Sequence, residues 1–342
     1  MCIKVSVICT LLNEGASIHK LLDSLVQQTR WPDEIIFVDG GSVDNTVSVL
    51  EGFAAEQDMP VQIIVAPGAN ISQGRNIGIE VAAGSIIAST DAGVRLDQNW
   101  LYELLKPFQN DPKPAVVSGF FVSDPQSAFE LAMGATVLPL VSDIDPDSFL
   151  PSSRSIAFLK SSWQAAGRYP EWLDYCEDLI FDFRLREAVG PFIFTPAATV
   201  YFRPRASLKP FFKQYFQYAR GDGKADLWRK RHLVRYLTYL AALPLMALLG
   251  AIVSPWWWLL GAILAILGMF YKPYQRLFLL WIPFSTYEKL AAICWIPIIR
   301  VTGDIAKMSG YPLGWKWRLE RLSTQPELRW RHDEGRQSES DG

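Results

Sequence analysis

The feature that most limits the fold of this chain is a stretch of 36 residues, Tyr236 to Tyr271, that contains no charged side chain. As one helix it would be about 54 Å long, well beyond the roughly 30 Å of a bilayer core. Ser254-Pro255 lies near its midpoint. The pattern therefore favours two antiparallel transmembrane spans, over about 236–253 and 256–271.

The charge distribution predicts how this hairpin is oriented. Residues 1–202 carry 25 acidic and 12 basic side chains, whereas residues 203–235 carry 10 basic and two acidic ones. Basic residues beside an apolar stretch favour the cytoplasmic side, because anionic headgroups attract them. We interpret the basic residues as a headgroup-binding collar rather than a nucleic-acid site. The expected location is the inner (plasma) membrane, multi-pass, with the N-terminal domain in the cytoplasm.

Two further segments follow the hairpin. The apolar stretch at about 277–299 has Glu288-Lys289 at its centre, and charges at mid-bilayer depth are costly. An interfacial or re-entrant segment is therefore favoured there, and a third span stays open. The predicted organisation is an N-terminal domain over 1–230, a membrane region over 231–315 and a polar cytoplasmic tail over 316–342.

The first 120 residues alternate between strand-like and helix-like patterns. Their apolar runs lack polar alternation, which is typical of βαβ units with both sheet faces covered, so we expect an α/β fold with a mostly parallel sheet. Ligands bind at the carboxyl ends of such strands. The residues at those ends are Thr10 with Asn13 and Glu14, then Asp39, then Asp91. The strands are predicted at Val5–Leu11, Ile35–Val38, Val61–Ala66, Ser85–Thr90 and Ala115–Phe121, and the helices at Ser17–Gln28, Val43–Gln57, Ser72–Ala83 and Asn99–Phe108.

The strand-to-helix turn around "VDGGSVDNT" lacks the GxGxxG fingerprint, which argues against a nicotinamide oxidoreductase. Helix capping accounts for Asp44. It does not account for Asp39 at the strand tip, where a carboxylate suits the hydroxyls or N–H groups of a ribose or base.

Three acids are candidates for chemistry. A strand-end carboxylate such as Asp91 can hold Mg²⁺ or Mn²⁺ together with phosphate oxygens. Glu177 and Asp178 open a predicted helix, Glu177 to Val189, where the helix dipole favours acids. The helix dipole does not explain why two acids are adjacent there, so the alternative explanation is that one of them is a general base. With three histidines, none near another, a histidine triad or zinc site is disfavoured.

Four fragments, in order, resemble the family 2 glycosyltransferases of the GT-A fold over most of residues 3–221. The fragments are "VSVICTLLNEG", "EIIFVDGGSVDNT", "ISQGRNIGIEVAAGSIIASTDAG", and "SSRSIAFLKSSWQAAGRYPE" followed by "CEDLIFDFRLREAVG". The resemblance implies a Rossmann-like GT-A catalytic domain followed by the transmembrane hairpin and interfacial helices.

The resemblance also implies roles for the candidate residues. Asp178 is the expected catalytic base of an inverting transfer, supported by Glu177, and Asp91 the expected metal ligand. The residues expected to bind the nucleotide sugar are Thr10, Asn13, Glu14, Asp39, Arg75, Asp91 and Arg220.

This sequence departs from the family pattern in two places. The DxD motif reads Asp91-Ala92-Gly93, so its second acid is absent, and metal binding either rests on Asp91 with waters and phosphate oxygens or uses another acid such as Asp97. The QxxRW motif of processive synthases is only partly present, as Gln217 to Gly221. Arg220 retains the planar fork that matches phosphate oxygens.

The predicted function is transfer of a sugar from a nucleotide diphosphate to a lipid-linked or polysaccharide acceptor at the cytoplasmic membrane face, with Mg²⁺ or Mn²⁺. Two alternatives stay open. One is a polyprenyl-phosphate sugar synthase, whose phosphate acceptor needs no general base. The other is a catalytically inactive membrane scaffold that retains nucleotide binding.

Overall fold

The computed structural model describes residues 4–110, 114–280 and 284–330. These residues form two compact units. The first comprises residues 4–122 and 141–203, and the second comprises residues 123–140 and 204–330.

The strands and helices follow the predicted alternation along the chain. The strands are β1 Val5–Leu11, β2 Glu34–Asp39, β3 Val61–Val65, β4 Ile86–Asp91, β5 Val94–Leu96, β6 Val116–Ser123, β7 Ile156–Leu159 and β8 Ile193–Phe202. The helices are α1 His19–Val26, α2 Thr46–Ala55, α3 Ile71–Val81, α4 Trp100–Leu105, α5 Ala128–Val137, α6 Lys160–Ala165, α7 Glu177–Val189, α8 Leu208–Ala225, α9 Arg229–Leu237, α10 Leu243–Ile252, α11 Trp256–Ala265, α12 Tyr271–Leu280 and α13 Thr286–Arg321.

The first unit is built on a mixed eight-stranded sheet with the order β3-β2-β1-β4-β7-β6-β8-β5. The strands β3, β2, β1 and β4 are parallel neighbours, as expected for βαβ units. Beyond β4 the direction changes, because β7 pairs antiparallel to both β4 and β6, and β5 pairs antiparallel to β8. The sheet is therefore parallel in one half and antiparallel in much of the other.

The core of the first unit lies on both faces of this sheet, as the lack of polar alternation predicted. Alternate residues of β1 point to opposite faces, so Val7 and Ile8 belong to different apolar clusters. Leu21 and Leu25 of α1 pack in the first cluster, and Phe181 and Leu185 of α7 in the second. Burying one such side chain fully stabilises the fold by about 1.5–3 kcal/mol.

The second unit is helical, and its longest element is α13, a helix of 36 residues. Close packing of α13 on α8 depends on glycine. A Cβ added at Gly310 would lie 2.2 Å from the carbonyl oxygen of Phe216, and one at Gly314 would lie 2.0 Å from that of Arg220. Either substitution would force the helices apart.

Among the described residues, two helices are long and apolar enough to cross a membrane, Arg229–Ile252 and Trp256–Leu280. Each includes a short π-helical segment, Thr238–Ala242 and Ile266–Phe270. The break between them falls at Ser254-Pro255, as the sequence indicated. Most of their large apolar side chains are exposed, among them Leu240, Leu245, Trp256, Ile263 and Leu267.

The charged pair in the predicted interfacial segment marks a helix start. Residues 277–280 of that segment belong to α12, and residues 281–283 lie outside the described residues. The rest opens α13, where Ser285 and Glu288 form a reciprocal capping box. Ala292, Ile296 and Ile299 are then buried within the second unit. In the predicted polar tail, residues 316–321 continue α13, and residues 331–342 lie outside the described part of the chain.

The two apolar helices generate a prediction about membrane attachment. Full-length protein should stay in the membrane fraction through high-salt and alkaline washing, because salt screens headgroup electrostatics but not apolar burial. Leu245→Arg, in the apolar stretch, should lower membrane-inserted protein, since arginine near a bilayer centre costs about 2.5–3.5 kcal/mol. Leu313→Arg is the control, because that leucine is equally half-exposed, but on α13. Release of intact protein by washing would contradict the spans.

Candidate active site

The site lies at the edge of the sheet where β1, β2 and β4 end. Parallel register places Thr10 opposite Asp91, and Leu11 opposite Asp39. The predicted strand tips therefore share one edge. Because side chains alternate along a strand, Asp91 lies on the α3 side with Ile87, whereas Asp39 follows Phe37 to the other face. The two acids lie at the same edge with β1 between their strands, and they point to opposite faces.

Helix α3 brings Arg75 to this edge because two glycines let it approach the sheet. A Cβ at Gly74 would lie 2.9 Å from Thr10 Cγ2, and one at Gly78 would lie 2.9 Å from Ile8 Cγ2. The helix begins with a capping box between Asn70 and Gln73. The spacing in "SQGRNIG" therefore positions one guanidinium against the end of β4.

Arg75 is 3% exposed and joins two acids. Its Nη1 donates to Glu177 Oε1 at 2.5 Å, and its Nη2 donates to Asp91 Oδ1 at 3.0 Å. On the other side of Asp91, Arg154 Nε donates to Oδ2 at 3.0 Å. The four side chains form a continuous charged chain in the order Arg154, Asp91, Arg75, Glu177. Asp91 and Arg154 are its more accessible members, with side chains 25% and 17% exposed.

Arg154 was not among the residues predicted from sequence. It lies two residues before Ile156, which pairs with Ser89 in the antiparallel ladder of β7 and β4. Continuing that register places Arg154 opposite Asp91. The fragment "SSRSIAF" contained the residue, but only a reversed strand direction brings it to the site.

Asn76 fastens α3 to the segment that leads into α7. Its Nδ2 donates to the Tyr169 carbonyl at 3.0 Å and to Glu171 Oε1 at 2.9 Å. Its Oδ1 accepts from the Tyr169 N–H at 3.0 Å and from Trp163 Nε1 at 3.1 Å. Every hydrogen-bonding group of the buried amide is satisfied, so the start of α7 is held in place relative to Arg75.

Helix α7 begins at Glu177, as predicted, directly after Cys176 in a left-handed conformation with φ 64°. Such a conformation costs a non-glycine residue of order 1–3 kcal/mol and is common at functional sites. Glu177 is buried against Arg75, whereas Asp178 is half-buried, with Oδ1 accepting from the N–H of Leu179 at 2.9 Å. Of the adjacent pair, Asp178 is thus the one that can reach a ligand.

The acids of α7 hold their protons more tightly than ordinary carboxyls. Burial, with the neighbouring charge of Asp178, raises the pKa of Glu177 to about 7 even though Arg75 opposes the shift. Burial also raises the pKa of Asp178, against Arg75 and the Leu179 N–H. One turn on, Asp182 is 1% exposed, its Oδ2 accepts no hydrogen bond within the described chain, and burial raises its pKa. Burial is therefore the main reason that these three carboxyls hold their protons, and Arg75 opposes the shift at each of them.

Arg75 stays charged in this environment. Burial alone would lower the pKa of its guanidinium, but the carboxylates of Glu177 and Asp91 outweigh burial and raise it. The guanidinium is thus a permanent positive charge beneath the site.

The remaining predicted residues of the edge hold the loops after β1 and β2 together. The N–H of Asn13 donates to Ser42 Oγ at 2.7 Å, its Oδ1 accepts from the Val43 N–H at 2.9 Å, and the N–H of Glu14 donates to Thr46 Oγ1 at 2.9 Å. Thr10 Oγ1 is a buried hydroxyl without a partner in the described part of the chain.

Asp39 organises the glycine turn. It is fully buried, and its Oδ2 accepts from the backbone N–H groups of Gly41 at 2.9 Å and Ser42 at 2.8 Å. Asp44 accepts from the N–H of Thr46, the first residue of α2, but the N-cap of that helix is Asn45, so Asp44 contacts the helix start without being its N-cap residue. The turn that was expected to meet a nucleoside is therefore rigid, and a role for Asp39 on base or ribose stays a prediction.

Arg220 belongs to α8 in the second unit. Its proposed role as a diphosphate clamp also stays a prediction.

A divalent cation has one candidate protein ligand here. The described residues contain no group of three or more His, Cys, Asp or Glu side chains that could hold a metal ion. Asp91 accepts one arginine N–H on each oxygen, which leaves lone pairs on both. Magnesium commonly takes one or two carboxylates and completes its shell with water and substrate phosphate oxygens. Asp91 therefore suits a cation that binds together with a diphosphate. It does not suit a metal site whose ligands all come from the protein.

Residues 6–135 match the family model "Glycosyl transferase family 2". This part of the chain is thus similar to the domain of that family. The matched range ends before α6 and α7, so the match does not include Glu177 or Asp178.

Individual relatives agree with this family assignment. The "Uncharacterized glycosyltransferase YibD" of Escherichia coli is 39% identical over 89 residues, 26% of each chain. The "Succinoglycan biosynthesis protein ExoA" of Rhizobium meliloti is 24% identical over 226 residues, 62% of this chain and 67% of the relative. The chain spans only 26–40% of the length of the first curated relatives it matches.

The fold has a solved counterpart, the "Mannosyltransferase PcManGT from Pyrobaculum calidifontis in complex with GDP-Man and Mn2+". The TM-score is 0.53 at 17% sequence identity, over 92% of this chain and 87% of that one. The mixed α/β sheet is thus that of the GT-A glycosyltransferases, as the sequence resemblance implied.

Proposed function

We propose that this protein is an inverting glycosyltransferase that transfers a sugar from a nucleotide diphosphate to a lipid-linked or polysaccharide acceptor at the cytoplasmic face of the membrane. The observation that carries the proposal is the charged chain Arg154, Asp91, Arg75 and Glu177, with Asp178 beside its last member. It combines positive charge suited to a diphosphate with a carboxylate suited to a hydroxyl proton.

On the donor side, Asp91 and Arg154 are the accessible groups. The planar guanidinium of Arg154 can donate to phosphate oxygens and so stabilise the negative charge that develops on the leaving diphosphate. Asp91 would hold Mg²⁺ or Mn²⁺ together with phosphate oxygens, and the cation would neutralise part of the same charge. Arg75 keeps Asp91 in place beneath them.

On the acceptor side, Asp178 takes the proton of the attacking hydroxyl. The hydroxyl oxygen bonds to the anomeric carbon while the bond to the diphosphate oxygen breaks on the opposite face, which inverts the configuration. A base with a raised pKa accepts the proton more readily, provided that it is ionised at the working pH. Glu177, held by Arg75, acts as a positioning residue.

Two observations bear on the alternatives. A polyprenyl-phosphate sugar synthase transfers to a phosphate and needs no base, so it leaves Asp178, the half-buried acid beside a buried ion pair, without a role. An inactive scaffold leaves the local strain at Cys176 unexplained. The membrane location rests on the two apolar helices.

The donor side is tested at Asp91 and Arg154. Asp91→Asn removes the charge that would hold the cation, so turnover should fall about 10²–10³-fold while Arg75 keeps its pair with Glu177. Arg154→Gln should raise the Kd of the donor about tenfold or more, since a charge-assisted hydrogen bond contributes about 1.5–3 kcal/mol. Titration calorimetry with UDP-, GDP- and dTDP-sugars, with Mg²⁺ or Mn²⁺, measures the second effect.

Arg30→Gln is the control for both, because Arg30 forms a surface pair with Asp33 away from this edge. An unchanged donor Kd in Arg154→Gln, or full activity of Asp91→Asn in excess chelator, would contradict these roles.

The acceptor side is tested at Asp178. Asp178→Asn keeps the shape but cannot take a proton, so kcat should fall by about 10²–10⁴ while the donor Kd changes little. Glu187→Gln, an exposed acid on the same helix, should have almost no effect. The assay is sugar transfer to the acceptor, or donor hydrolysis. If Asp178→Asn keeps more than about a third of wild-type kcat, the base assignment is wrong, and the phosphate-acceptor alternative gains support.

A further inference from the structure

The second unit contains a polar cavity that none of the roles above uses. Its volume is about 190 Å³, about that of six water molecules in the liquid, at roughly 30 Å³ each. The cavity is formed by α5, α8 and α13. Its lining residues are Thr136, Val137, Phe211, Tyr215, Ile299, Arg300, Gly303, Asp304 and Lys307.

The one acid that lines the cavity is already paired. Asp304 is 3% exposed, and its Oδ1 accepts from Arg235 Nε at 2.7 Å. Its Oδ2 accepts from the Tyr239 hydroxyl at 3.1 Å. Arg235 and Tyr239 do not line the cavity, and they satisfy both oxygens of Asp304 from outside the lining, while Arg300 of the lining adds an ion pair to Oδ2.

The two cations that line the cavity keep unused donors. Lys307 Nζ lies 5.1 Å from the centre of the Tyr215 ring and makes no hydrogen bond or ion pair with the described residues. Arg300 Nε is buried and makes no hydrogen bond there either, although it lies 3.2 Å from Asp304 Oδ2. A buried donor without an acceptor destabilises the fold, so an acceptor in the cavity that bonded to Arg300 Nε would be stabilising.

The surroundings of Lys307 also favour an anion. Burial lowers the pKa of Lys307 to about 8, and the positive charges of Arg235 and Arg300 lower it further than the carboxylates of Asp304 and Asp222 raise it. Asp222 is itself paired with His232 Nε2 at 3.1 Å. Net repulsion among the cations means that a bound anion would stabilise all of them.

The cavity lies at the polar end of the first apolar helix. Arg235 and Tyr239 belong to the first turns of Arg229–Ile252, and the Tyr236 hydroxyl donates to the carbonyl of Met308 on α13 at 2.7 Å. A basic pocket beside the cytoplasmic end of a membrane helix is where lipid headgroups are bound.

We propose that this cavity binds the phosphate group of a membrane lipid, with Lys307 and Arg300 as its principal donors. A phosphate offers acceptor oxygens to both unused donors, and its tail can follow the apolar surface of Arg229–Ile252. The inference rests on the proposed membrane attachment but not on sugar transfer, since the lipid can be an acceptor or a constituent of the bilayer.

The test is thermal unfolding of detergent-purified full-length protein with dioleoyl phosphatidic acid, with dioleoyl phosphatidylcholine and with inorganic phosphate. Phosphatidic acid should raise Tm saturably, because a ligand that binds only the folded state stabilises it. Lys307→Gln should raise the phosphatidic acid concentration that gives half of the maximal Tm shift about tenfold or more. Lys307→Arg should restore binding to within about threefold. Lys316→Gln, an exposed lysine of α13, should behave as wild type.

The proposed site would be wrong if phosphatidylcholine raised Tm as much as phosphatidic acid does. It would also be wrong if wild type and Lys307→Gln reached half of the maximal Tm shift at the same phosphatidic acid concentration. If inorganic phosphate alone saturates the effect, the site stands and its lipid source is wrong. Should Lys307→Gln fail to fold, acylation of wild-type lysines gives the same answer: phosphatidic acid should slow modification of Lys307 but not of Lys316, and equal rates would refute the proposal. A donor-induced Tm shift without a lipid effect would leave the proposed transferase intact.

Discussion

The arrangement of the site depends on one buried guanidinium. Arg75 bridges the end of β4, through Asp91, and the start of α7, through Glu177, which are 86 residues apart in the chain. A buried charge is tolerated only when paired, and removing one partner of such a pair typically costs about 3–5 kcal/mol. Gly74 and Gly78 let Arg75 reach the sheet, and the amide of Asn76 fixes the approach to α7. The groups proposed for the donor side and for the acceptor side are thus held by a single charged chain.

Much of the site's position in the fold could be predicted from the sequence, because it depends on patterns among residues close together in the chain. The start of α7 at Glu177 and the edge shared by Thr10, Asp39 and Asp91 followed from apolar patterns and capping. Arg154 did not, because nothing in its own neighbourhood indicates that β7 runs antiparallel to β4. The opposite faces of Asp39 and Asp91 depend on strand register, which strand patterns locate only to within a residue or two. The sequence predicts that the charges at Glu288-Lys289 are costly at mid-bilayer depth, whereas in the structure Glu288 completes a capping box at the start of α13.

The second unit repeats this arrangement, in which arginine holds a buried acid, among its helices. Asp304 is matched from one side by Arg235 and Tyr239, which leaves Arg300 and Lys307 facing a cavity with donors to spare. In both units a buried acid is held by arginine, and the groups next to it remain available to a ligand. In the first unit those groups include an acid with a raised pKa, and in the second they are cations. The two sites therefore suit ligands of different chemistry, a hydroxyl acceptor with its donor and a phosphate.

The most direct test of the account is the pH dependence of kcat/KM for sugar transfer. The acids at the start of α7 hold their protons above the ordinary carboxyl range, with a pKa of about 7 for Glu177, so kcat/KM should rise with pH toward neutrality as the pair becomes fully ionised. Glu177→Gln removes the adjacent negative charge, which makes Asp178 easier to ionise and should move this rise to lower pH. Glu187→Gln should leave it in place. A rise of kcat/KM that is complete at the pH where ordinary carboxyls ionise would contradict the assignment of Asp178 as the base. A rise that Glu177→Gln leaves at the same pH would contradict the role of the buried Arg75–Glu177 pair beside it.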